Sequence, residues 1–144
     1  IPAAKDQEPV GAVVRDGKYM AFALLAGLMS VLYLVLDFLL PLWISTGTSM
    51  PAFMISAAVI LNTVLVVSLQ MRFAAMAEGY GAAVRACLLS GGALALAAAL
   101  FSATGSSNVV LAVVALVLGV VALSVAEVIF SAAGWTLSYA FADQ

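Results

Sequence analysis

Two carboxylates, Asp37 and Glu127, lie inside long apolar tracts and are the residues of this sequence best suited to chemistry. Between Lys18 and Arg72 the only charged residue is Asp37, and between Arg85 and Asp143 it is Glu127. A carboxylate in hydrocarbon is costly unless it faces protein or water. A carboxyl group in a low-dielectric cavity favours its neutral form, so it can load and release a proton near neutral pH or meet a cationic substrate. Each acid belongs to a polar stripe at helical spacing. Ser30, Tyr33 and Asp37 follow i, i+3, i+7, and Pro41 continues that face with an expected kink, a combination that suits a gate. Ser124, Glu127, Ser131, Gly134 and Ser138 form the second stripe, with Val and Leu opposite. Ser56, Thr63 and Gln70 form a third, with Asn62 beside it, and interhelical hydrogen bonding is the commoner role for such groups. The bland reading of both acids is a hydrogen bond between helices or a pair with a cation elsewhere in the protein. The sharper reading is a proton- or substrate-binding set of Asp37, Glu127, Tyr33, Ser131 and Asn62.

The elements that must position these groups follow from composition. Apolar residues make up 66% of the 144 and charged residues 8%, about a third of the charged share of a soluble domain. Mean hydropathy is +1.23. A span needs about 20 apolar residues, so each tract crosses a bilayer twice and must turn. The polar clusters 45–49, followed by Pro51, and 102–108 supply the turns, and Asn108 is placed to cap the next helix. The expectation is an all-α integral membrane protein with four transmembrane helices, 18–44, 51–71, 82–103 and 108–139, paired as two hairpins. Stretches such as 94–100 and 109–121 are apolar on both faces of any strand, which excludes a barrel. Residues 1–17, with Pro2, Pro9, Gly11 and Gly17, read as a cytoplasmic linker rather than a signal peptide. The fourth helix is too long for a simple span and is expected to project into water. Asp37 falls about 10 Å before the outer end of its helix, and Glu127 about 28 Å from the outer end of its own, in the cytoplasmic half. The third helix, with Gly91, Ala95 and Ala99, is expected to pack by small-residue contacts.

Several functions are argued against by what is missing. The sequence has no His and one cysteine, Cys87, so neither a disulfide nor a Cys/His metal site is expected, and no cofactor. It has no Gly-rich phosphate loop after a strand and no nucleophile with a base at helical spacing, so it does not read as an enzyme. Gly79-Tyr80-Gly81 reads as a loop. A net charge of −2 without a basic patch gives no footprint for nucleic acid. The five basic residues, Lys5, Arg15, Lys18, Arg72 and Arg85, all fall on one side of alternating spans. That excess places the N-terminus, the 72–85 loop and the C-terminus in the cytoplasm, in the inner (cytoplasmic) membrane. Tyr19 and Trp43 mark the two interfaces of the first helix.

Three segments carry a resemblance. Arg15-Asp16-Gly17-Lys18-Tyr19 looks like the end of a central cytoplasmic loop. Leu36-Asp37-Phe38-Leu39-Leu40-Pro41-Leu42-Trp43 and Glu127-Val128-Ile129-Phe130-Ser131-Ala132-Ala133-Gly134-Trp135 look like a seventh and a tenth transmembrane helix. Together the chain resembles helices seven to ten of the twelve-helix major facilitator superfamily, in its drug-efflux and proton-coupled branches. The resemblance implies that the first and fourth helices line a cavity, the third is peripheral, and the remaining helices belong to a parent transporter. It also implies one complete three-helix repeat and a second that stops after one helix, which cannot alternate access by itself. The opening Ile1 and closing Gln144 read the same way, as a piece of a longer protein. The expected function is proton-coupled efflux of small, cationic or amphipathic molecules, with the bilayer, the parent's helices, substrate and protons as partners. The alternatives are a complete four-helix multidrug exporter acting as a dimer, and a membrane assembly subunit that transports nothing.

Overall fold

The structure, a computed structural model, describes residues 17–31, 34–74 and 78–142. They are all helical or connecting chain, and they fall into two units divided between Leu34 and Val35. The first unit contributes α1, Gly17–Val31, an apolar helix without a buried residue. The second contains a π-helical turn, Val35–Leu39, then α2, Leu40–Gly47, α3, Phe53–Ala74, α4, Tyr80–Ala103, and α5, Val109–Ala142.

Within the expected helix 18–44 the described residues are helical over 17–31 and 34–47, with a π turn at Val35–Leu39 for which Pro41 supplies the physical reason. Proline has no N–H to close the ladder onto the carbonyl four residues earlier, and its ring crowds that carbonyl. The chain widens into the π turn just before it and restarts as α2 with Pro41 in its first turn. The other three expected spans coincide with α3, α4 and α5 to within a few residues. These three are long and apolar enough to cross a membrane, as Phe53–Phe73, Tyr80–Ala103 and Val109–Ala140, and they point to a membrane protein. The 1–17 linker lies outside the described residues but for Gly17.

Polar turn residues close the helix ends. Asn108 caps α5 as its position in sequence predicts: its Oδ1 accepts from the Val110 and Leu111 amides at 3.0 and 3.2 Å. The Pro51 carbonyl accepts from the Met54 amide at 3.0 Å to start α3. Gly79 enters α4 at φ +87°, where a side chain would be strained.

The core is organised around α5, which packs along α4 on one side and α3 on the other. Half of its span is buried, against 17% for α4 and 6% for α3, so α5 is the central helix. The face α4 turns to it is Ala83, Ala86, Ser90 and Ala97, all buried. This corrects the small-residue face read from sequence: Ala95 and Ala99 are exposed and Gly91 is half-buried. Alanines and glycines occur all around α4, so spacing alone does not single out one stripe. Near the 104–108 turn the Phe101 ring lies on Gly119, where a Cβ would come within 2.7 Å of Cε1. Large apolar side chains such as Ile60, Val67 and Leu88 point outward, as a lipid-facing surface requires.

Gly119→Val should overpack this α4–α5 contact and destabilise the helical core by about 1–3 kcal/mol. The reading is the detergent-unfolding midpoint; an unchanged midpoint would show that the Phe101 seat is not a tight contact.

Candidate functional site

α5 is pinned to both neighbours within two residues. Ser124 is fully buried, and its hydroxyl faces two acceptors, Asn62 Oδ1 on α3 at 2.6 Å and the Val120 carbonyl at 2.8 Å. Ser90, also fully buried on α4, donates to the Ala126 carbonyl at 2.8 Å. That carbonyl belongs to the peptide leading into Glu127. Glu127 is half-buried and engaged rather than free. At 100° per residue it shares the α5 face of Val120, Ser124 and Ser131, the side turned to α3. Every buried polar side-chain atom among the described residues has a partner.

The two bonds also set the depth of the carboxyl group. α3 and α5 both start at the end that carries the 48–52 and 104–108 turns. Asn62 lies about 13.5 Å along α3 from Phe53, near its middle, and one further turn on α5 puts Glu127 about 18 Å from that end. Counting along α4 from Ala103 to Ser90 gives about 21 Å for the same carboxyl group. Along α5 itself, counted from Asn108, the distance is about 28 Å. Counted along α3 and α4, Glu127 lies about 18–21 Å from the end that carries the two turns.

The other candidates divide into placed and unplaced residues. Asn62 is the interhelical bond, while Ser56, Thr63 and Gln70 are exposed, with Thr63 returning its proton to the Val59 carbonyl at 2.9 Å. Ser131 is half-buried one turn inward of Glu127 and makes no hydrogen bond among the described residues. Ser138 donates to the Gly134 carbonyl at 2.8 Å. The backbone of Asp37 lies in the π turn; its side chain, and the whole of Tyr33, lie outside the described residues. Ser90 is the functional-looking residue that the sequence reading passed over. Its signal was a hydroxyl seven residues from both Ala83 and Ala97 on one helix face. Among the described residues no group of three His, Cys, Asp or Glu side chains could hold a metal ion.

A central helix carrying one carboxyl group, tied by hydroxyls and an amide to two apolar helices long enough to span a membrane, points to a helical membrane protein with polar groups inside its core. Compared with known protein families, with curated proteins and with solved structures, the chain matches none.

The Asn62–Ser124 bond should show as a coupling of about 0.6 kcal/mol, and no more than about 1.7, in a double-mutant cycle of Asn62→Leu and Ser124→Ala. Additive single effects would show that the two side chains do not act on each other.

Proposed function

We propose that the chain is part of a secondary active transporter of the major facilitator type, with four membrane spans, that couples proton movement to export of small cationic or amphipathic molecules. The observation that carries this reading is Glu127, a half-buried carboxyl group on the polar stripe of the central helix, three residues from the Ser124–Asn62 bond. Such a group is expensive in a membrane, and its usual return is a proton or a cationic ligand. Ser131 lies one turn inward on the same face, and Asn62 and Ser124 fix the helix rotation that presents both. Asp37, on the π turn, and Tyr33 complete the proposed set. The basic residues support an inner-membrane orientation with the N-terminus, the 72–85 loop and the C-terminus cytoplasmic. The resemblance of the segments at 15–19, 36–43 and 127–135 supports the family.

One observation favours a second reading. Ser90, Asn62 and Ser124 meet helices rather than an aqueous path, as in a membrane assembly subunit. The two readings separate at Glu127. In proteoliposomes of the full-length protein under an imposed pH gradient, Glu127→Gln should abolish pH-driven movement of a lipophilic cationic dye while the helical content stays the same. Undiminished pH-driven movement would remove Glu127 from coupling. A native protein that moves no dye and no protons would favour the assembly reading.

A further inference from the structure

The short helix α2 is held at two places by different means. At its start is the π turn, where Pro41 leaves a carbonyl without its helical donor. From its middle the Trp43 indole N–H donates to Thr104 Oγ1, in the turn between α4 and α5, at 2.8 Å. Thr104 is fully buried and gives its own proton to the Phe101 carbonyl at 2.6 Å, so Oγ1 is left as an acceptor that suits the indole. The other hydroxyls of this segment bond locally: Ser45 and Thr46 donate to the Leu42 carbonyl, and Thr48 to that of Ile44.

Two glycines make room for the indole. A Cβ on Gly47 would fall 2.7 Å from Trp43 Cε3, and one on Gly105 would fall 3.4 Å from Cζ2. Leu36, Leu40 and Ile44 form a buried ridge along one side of the segment. Beside that ridge, and sharing Leu40 with it, a groove of about 450 Å³ runs between the segment and the end of α4, lined also by Val35, Leu39, Trp43, Phe101 and Ser102. The indole forms part of the wall of this groove and also makes the bond to Thr104.

We propose that α2 is a strap, pivoting at the π turn and latched to the α4–α5 turn by the Trp43–Thr104 hydrogen bond, whose release swings its outer end away and widens the groove. The ridge of Leu36, Leu40 and Ile44 is the bearing on which it turns. Gly47 and Gly105 let the indole come close enough to latch. The device does not depend on the transporter reading.

The test measures the distance between spin labels on the exposed positions Ser45 and Ser107 in the full-length protein, in bilayers and with Cys87→Ala. The unaltered latch should give one narrow distribution. Thr104→Val, which removes the acceptor but keeps the shape, should raise a longer-distance population relative to the short one by roughly two- to tenfold, the factor that one net hydrogen bond is worth. Thr104→Ser, which keeps the hydroxyl, should restore the narrow distribution. Trp43→Phe breaks the same bond from the other side and should repeat the Thr104→Val result, so failure of one variant to fold leaves the other to read. A narrow, unshifted distribution in whichever of these two folds would overturn the proposal, and so would a shift in Thr104→Ser as large as in Thr104→Val.

Discussion

Inside hydrocarbon no water completes a hydrogen bond, and the arrangement of this chain follows from that constraint. Most hydroxyls meet it locally by donating to a carbonyl three or four residues earlier on their own helix, as Ser30, Thr63, Thr136 and Ser138 do. Such bonds satisfy the group without specifying what packs beside it. Other described residues bond across elements instead, as Ser90 does with Ala126, Ser124 with Asn62, and Trp43 with Thr104. The first two hold α4 and α3 against α5, and the third holds α2 against the turn where α4 ends. Apolar packing between small residues supplies the rest, since lipid gives helices no hydrophobic reason to associate.

Much of this is legible in the sequence, because the membrane imposes length and polarity together. The positions of α3, α4 and α5, the two polar turns and the Asn108 cap follow from runs of apolar residues and the residues that interrupt them. The packed face of α4 does not, since Ala83, Ala86 and Ala97 look no different in sequence from Ala95 and Ala99. Nor is the pairing of Ser124 with Asn62 and of Ser90 with the Ala126 carbonyl legible, since it depends on how the helices meet. Pro41 announces a disturbance, but whether the chain answers with a bend or a π turn depends on how Leu36 and Leu40 pack, which is a tertiary matter.

The polar belt joins stability and chemistry at one level. A hydrogen bond between membrane helices is worth about 0.6 kcal/mol on average, too little to explain a carboxyl group in the same place. Asn62, Ser124 and Ser90 are accounted for by helix pairing alone. Glu127 has a partner in the same core as well, and its proposed role as a proton or cation site rests on the cost of a carboxyl group within an apolar tract. The fixed rotation of α5 keeps that carboxyl group on the α3 side together with Ser131.

The proposed role of Glu127 requires α3 to span the bilayer with Asn62 near its centre. The direct measurement is a depth profile: spin labels at the outward-facing positions Phe53, Ile60, Val64, Val67 and Met71, with power saturation by oxygen and by a water-soluble nickel complex. The ratio of oxygen to nickel accessibility should be highest at Ile60 and Val64 and fall towards both Phe53 and Met71. A maximum at either end, or nickel access throughout, would contradict the mid-membrane placement of the belt.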